Sequence, residues 1–171
     1  MATPKLTSPV AISLVAIPPV CLQAVYAGAR AEITLQPISW GKKRDGFQLW
    51  QFGEDGRIYL YTPEAPAKFC VEFRNSAENG QPLQLNNADP SDQTQMWDVS
   101  GLPSIRNVGA GSYYMDSGNN HAPGNKVVIY AGGGAQKNSN EAWLPVLIPA
   151  FNFADLGSAE GGAARTAAAV S

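Results

Sequence analysis

Trp50, Trp97 and Trp143 stand 47 and 46 residues apart, and each closes a segment with similar punctuation. A fixed period of this length marks one supersecondary unit used several times, because a unit too small to bury its own apolar face buries it against its copies. The residues leading into the tryptophans are Gln48-Leu49-Trp50, Gln95-Met96-Trp97 and Glu141-Ala142-Trp143, two copies of Q-x-W and a third with Glu for Gln. A second echo lies upstream in Cys21-Leu22-Gln23, Cys70-Val71-Glu72 and Tyr114-Met115-Asp116, whose last residues precede their tryptophans by 27, 25 and 27 positions. Two anchors in register across three copies divide the chain into repeats of about 10–53, 57–101 and 104–148.

Each repeat resolves into four short runs of strand-forming residues separated by turn residues. The first gives 11–17, 20–25, 32–38 and 49–53; the second 57–62, 69–74, 83–87 and 96–100; the third 104–109, 113–117, 126–131 and 142–148. Asp55-Gly56 and Asn79-Gly80 supply tight turns that tolerate positive φ. Seventeen glycines and thirteen prolines spread along 171 residues agree with many short strands rather than long helices. Twelve strands in three fours would also suit propeller blades. Propellers typically use four to eight of them, and no kelch or WD signature is present, so an all-β barrel closed with threefold pseudo-symmetry and capped by hairpins is expected.

Composition narrows the function classes. With 12 basic and 14 acidic residues the formal net charge is −2. Such a chain lacks the basic face on which nucleic acid or an anionic membrane surface is bound, so neither partner is expected. No apolar run approaches the roughly 20 residues that a membrane-spanning helix needs. Residues 10–29 resemble a secretory signal, being apolar, preceded by Lys5 and ending in Ala27-Gly28-Ala29. Pro18-Pro19 would break a helical apolar region, however, and cleavage would delete half of the first repeat. The segment is therefore expected to be retained, in a protein that is cytoplasmic or released without a cleaved signal peptide. Cys21 and Cys70 occupy equivalent places in two repeats and are expected to be buried, unpaired apolar residues. One domain over 1–150 is followed by an Ala/Gly-rich stretch, 151–171, with no strand pattern, which reads as a flexible tail.

The triplet, the strand ending in an aromatic and the closing Q-x-W, three times over, resemble the ricin B-type β-trefoil lectins across roughly residues 10–148. That resemblance implies a β-trefoil of three four-stranded repeats, with core tryptophans and up to three shallow sugar pockets. It further implies that each pocket takes an acid from the end of the triplet, an aromatic from the next strand and an Asn three residues before the Trp. The third repeat has all three, as Asp116, Tyr130 and Asn140. A carboxylate accepts charge-assisted hydrogen bonds from adjacent hydroxyls, an amide donates and accepts, and an aromatic face meets the apolar C–H face of a pyranose. The loop holding Gly118, Asn119, Asn120 and the sole histidine, His121, would form one wall. Val128 departs from the polar residue usual two positions before the aromatic.

The second repeat offers Glu72, Gln84 and Asn86 as a weak second site, but Asn86 stands where the ring belongs and Thr94 where the amide belongs. The first has Gln23, Gln36 and Phe47 at the three positions and is expected to be inactive. Asp116, Tyr130, Glu72 and Gln23 are expected at the pocket surface. No nucleophile elbow, H-E-x-x-H, phosphate loop or C-x-x-C occurs, and one histidine cannot supply a metal cluster. No enzyme activity, cofactor or metal is therefore expected. The resemblance implies a lectin for terminal galactose or N-acetylgalactosamine-type glycans, with homo-oligomers as one route to avidity. The alternatives are a trefoil protease inhibitor acting through a protruding loop, 86–95 or 117–125, and a degenerate trefoil serving as a protein-interaction domain.

Overall fold

The computed structural model describes residues 5–15, 20–38, 47–119 and 121–147. Strands β1 (Val10–Leu14), β2 (Val20–Ala24), β3 (Ile33–Pro37) and β4 (Trp50–Phe52) come first. They are followed by β5 (Ile58–Leu60), β6 (Phe69–Phe73), β7 (Gln81–Asn87) and β8 (Trp97–Asp98). The last are β9 (Arg106–Asn107), β10 (Tyr113–Asp116), β11 (Val128–Ala131) and β12 (Trp143–Leu147). Each falls within or across the run expected for it. Two single-turn 3-10 helices, Gln93–Gln95 and Ser139–Glu141, lead into β8 and β12. The expected tail, 151–171, together with Pro18, Pro19 and Asn120, lies outside the described residues. Among those described, no helix is long and apolar enough to cross a membrane.

All pairings are antiparallel, and they sort the strands into a ring and its caps. β12 pairs along the whole of β1, from Val10↔Leu147 to Leu14↔Trp143, tying the end of the described chain to its start. β1 meets β4 at Val10↔Trp50, β4 pairs with β5, and β8 pairs with β9. Backbone bonds from Trp97 N to Gly56 O and from Trp143 N to Pro103 O, both 2.7 Å, bridge the remaining gaps. The other six strands form the hairpins β2–β3, β6–β7 and β10–β11. These lean together around a common axis through Leu85 N to Ala31 O, Leu83 N to Val127 O and Val127 N to Ile33 O, at 2.8, 2.8 and 3.0 Å.

One set of side chains fills the interior. Inward positions alternate as a pleated strand requires, so Leu22, Val71 and Met115 point in while the triplet residues on either side face outward between strands. Leu35, Leu85 and Ile129 oppose them across the hairpins, and all six are fully buried. Trp50, Trp97 and Trp143 lie among them, no more than 2% exposed. Each indole N–H donates to a main-chain carbonyl in the middle of its own repeat's triplet: Trp50 to Leu22 at 3.1 Å, Trp97 to Val71 at 3.0 Å and Trp143 to Met115 at 2.8 Å. A buried indole must satisfy its single donor somewhere. Here one bond does so while fixing the register between hairpin and ring.

Cys21 and Cys70 are buried and not joined by a disulfide. Burial pushes the Cys70 thiol well above its ordinary range, against a partial opposing pull from Arg57. Thiolate is the reactive form, so both sulfurs are expected to be silent towards a thiol reagent in the native protein. Two should titrate after unfolding without reductant; none would point to a disulfide. Replacing Trp143 with Phe should keep the ring but leave the Met115 carbonyl without its donor, a loss of about 1–3 kcal/mol. Urea unfolding would show this as a lower midpoint at unchanged slope.

Candidate functional site

The candidate positions of the second and third repeats sit where the hairpin meets the short helix before the closing strand. In the third repeat, Asp116 on β10 stands opposite Val128 on β11, and Tyr114 stands opposite Tyr130. Strand pleating places all four on one face, and Met115 and Ile129 on the other, in the core. Tyr130 is 43% exposed, as a stacking platform needs. Asn140 comes from the helix Ser139–Glu141, which is fastened to the end of β10 through its own carbonyl. Ser117 donates to that carbonyl from N at 3.0 Å and from Oγ at 3.1 Å. The three elements that carry Asp116, Tyr130 and Asn140, namely β10, β11 and the short helix, are thus held next to one another.

Asp116 is not at the surface as expected; it is 2% exposed. The reason is local. Gly118 adopts φ +70, a conformation that glycine reaches without strain, and turns its N–H back to Asp116 Oδ1 at 2.5 Å. Asn138 Nδ2 donates to Oδ2 at 3.0 Å. A carboxylate has about four acceptor sites, so two donors leave capacity for incoming hydroxyls. Burial nevertheless raises the Asp116 acid above its ordinary range, while Gly118, Asn138 and the nearby His121 ring each offset part of the rise.

His121, in the loop after β10, is half-buried, with Nε2 2.7 Å from Asn140 Oδ1. That contact occupies the amide oxygen and leaves Asn140 Nδ2 without a partner among the described residues. Gly118 is half-buried beside the acid and Asn119 is exposed; Asn120 lies outside the described residues. Two residues that back the acid position are not among those the sequence points to as sugar contacts. Asn138 caps the helix by accepting from Asn140 N at 3.0 Å, and its Nδ2 also reaches Glu141 Oε1 at 3.3 Å. Glu141, the Glu that breaks the Q-x-W pattern, is fully buried, and its Oε2 has no hydrogen-bond partner. Burial raises its acid, and the Asp116 charge adds to the rise. A Cβ at residue 132 would collide with this carboxylate, which only Gly132 accommodates.

The second repeat gathers the same positions into a closed network. Glu72, 4% exposed, accepts from Gln84 Nε2 at 2.6 Å, Asn86 Nδ2 at 3.1 Å and Gln95 Nε2 at 3.1 Å. Gln95, the Gln of Q-x-W, is fully buried. Its Oε1 accepts from Asp89 N at 2.9 Å, Cys70 Sγ at 3.1 Å and Arg57 Nε at 3.5 Å. Glu72, Gln84 and Asn86 are therefore brought together, with both amides bonded to the carboxylate. In the first repeat Gln48 Nε2 donates to Gln23 Oε1 at 2.8 Å and to Pro37 O at 3.1 Å, again filling the place with amides. Phe47, in the position of Asn140, is 39% exposed. Among the described residues, no group of three or more His, Cys, Asp or Glu side chains could hold a metal ion.

No family model and no curated protein matches the chain. Solved structures do. The agglutinin from Abrus precatorius aligns with a TM-score of 0.61 at 17% identity, covering 84% of this chain and 47% of its own. A non-toxic homologue of type II RIPs from Momordica charantia, in complex with α-methyl-D-galactoside, gives 0.60 at 17%, covering 84% and 48%. The Vibrio vulnificus hemolysin/cytolysin β-trefoil lectin, with N-acetyl-D-lactosamine bound, gives 0.59 at 15%, covering 84% and 97%. The chain has the β-trefoil fold of these proteins. It spans about half the length of the Abrus and Momordica chains and nearly all of the Vibrio lectin's.

The closed network of the second repeat yields a test of its own. Glu72→Ala strands the Gln84, Asn86 and Gln95 amides in a buried place, so it should destabilise the fold by about 1–3 kcal/mol. An unchanged midpoint in chemical unfolding would mean that water already serves those amides.

Proposed function

We propose that this chain is a ricin B-type lectin, three four-stranded repeats related by pseudo-threefold symmetry, that binds a terminal galactose-type sugar at the third repeat. The observation that carries the reading is the asymmetry among repeats. Among the described residues, only there do adjoining elements carry an acid with spare acceptor capacity, an exposed aromatic and an amide with an unused donor, whereas the other two repeats fill the same place with their own amides. The sugars bound by the Momordica and Vibrio proteins of like fold agree with this class of ligand.

In the bound state the pyranose C–H face lies on Tyr130, adjacent hydroxyls donate to Asp116, and Asn140 Nδ2 donates to a sugar oxygen. Because Asp116 is covered, entry exchanges part of its present surroundings, including the half-buried His121–Asn140 contact, for sugar hydroxyls. The work is binding, not turnover. A few hydroxyl contacts and one stacking face suggest a Kd of order millimolar, roughly −4 kcal/mol. One pocket per chain then calls for several copies presented together to reach useful avidity. A trefoil inhibitor is a second reading with one observation in its favour: loop 86–95 is held stiffly by Arg57 Nη2 to Asp89 O at 2.7 Å and by Gln95 Oε1 to Asp89 N.

A glycan array run beside a protease panel separates the two, with galactose-terminated glycans expected to score. Asp116→Asn should then lose about 1.5–3 kcal/mol, erasing a millimolar interaction, and Tyr130→Ala should do likewise. Glu72→Gln should leave binding unchanged. Binding that survives Asp116→Asn and vanishes in Glu72→Gln would move the pocket to the second repeat, and a blank array with protease inhibition would favour the second reading.

A further inference from the structure

The short helices of the second and third repeats carry the same four-residue frame with its charges exchanged: Asp92-Gln93-Thr94-Gln95 against Asn138-Ser139-Asn140-Glu141. In the second repeat the acid opens the frame, where Asp92 Oδ1 caps the helix by accepting from Thr94 N at 2.8 Å. The amide of Gln95 closes the frame and donates to Glu72. In the third, the amide of Asn138 opens it and must serve two carboxylates from one nitrogen, Asp116 at 3.0 Å and Glu141 at 3.3 Å. Two buried acids, 2% and 0% exposed, thus share a single side-chain donor, beside one main-chain N–H each from Gly118 and Gly134, and Glu141 Oε2 has no partner.

We propose that Asn138 and Glu141 are positioning residues that couple the Asp116 pocket to a proton, so that sugar held at neutral pH is released in mild acid. This rests on the lectin reading of the third repeat. Like charges in a desolvated place favour uptake of a proton, which belongs to the pair and not to either residue. Once the pair is protonated, Asp116 is a weaker acceptor for sugar hydroxyls. The raised acids found at both residues point the same way. The direction follows: a pair titrating above the ordinary carboxylate range holds its full negative charge above that point and loses it, with sugar affinity, as pH falls through it.

The other charged groups near the pair are few. The His121 ring, in the loop after β10, attracts the Asp116 charge and opposes protonation. Lys137, next to Asn138, is exposed and forms no ion pair with either acid among the described residues. Neither His121 nor Lys137 replaces the donor that Gln95 gives to Glu72 in the second repeat.

The test follows methyl galactoside binding from pH 7.5 to 4.5, together with the side-chain carboxyl carbons of Asp116 and Glu141 by NMR without sugar. Glu141→Gln restores the amide of Gln48 and Gln95; it should move the acid limb of binding down by about one pH unit and leave the neutral-pH affinity within about twofold. Asn138→Asp removes the shared donor and adds a third acid, so it should move that limb up, a shift in the opposite direction that loss of structure would not mimic. Superimposable profiles for wild type and Glu141→Gln would overturn the proposal, as would two carboxyls titrating independently in the ordinary range while sugar still binds. A blank array with coupled carboxyl titrations would instead fail the lectin reading alone.

Discussion

Three indole N–H groups, each donating to a carbonyl in the middle of a hairpin's first strand, hold the trefoil in register. The bond lies in the core, where a missed partner costs far more than a made one returns, so it tolerates little movement of hairpin against ring. Since Leu22, Val71 and Met115 supply the carbonyls, the residues following them, Gln23, Glu72 and Asp116, are delivered to the same place in each repeat. The acid position is thus a by-product of where the tryptophan donates. Chemistry at that position can change from repeat to repeat without disturbing the scaffold, because the bond that sets it runs from the tryptophan indole to the main-chain carbonyl of the preceding residue.

What does change is the set of donors offered to that position. Glu72 receives three amides and is satisfied by its own repeat. Gln23 is itself an amide and is met by Gln48. Asp116 receives one side-chain amide and one main-chain N–H, the smallest supply for a carboxylate of the two acids. A polar pocket is available to a ligand only where the protein has not already completed its hydrogen bonds. By that criterion the other two repeats are as informative as the third, since their own amides already complete the hydrogen bonds at the matching position.

The fold was legible because its signals are local and repeated: the tryptophan period, the glycine turns and twelve short runs, each of which became a strand. The trio of Asp116, Tyr130 and Asn140 was legible through the resemblance to known lectins, which fixes spacing along the chain. Burial was not. Whether Asp116 faces solvent depends on Gly118 turning back onto it and on Asn138 reaching across from a helix 22 residues later, and neither is written in the spacing. The pairing of His121 with Asn140 likewise depends on how a loop folds over, where no periodicity operates. Glu141 was visible as a break in the Q-x-W pattern, but its consequence appears only when its carboxylate is seen beside that of Asp116.

The exchanged charges of the two helix frames show why that break is tolerated. A Glu in the place of Gln95 would abut Glu72 with nothing to separate them, since Asp92 cannot donate. In the third repeat the same Glu arrives together with Asn138, which can donate, and with Gly132, which leaves room for the carboxylate. The substitution thus depends on two others, one supplying a donor and one removing a side chain. A strong local irregularity that survives only with such support is what a functional requirement leaves behind in a repeat protein, because drift alone would favour the self-satisfied arrangement of the other two copies.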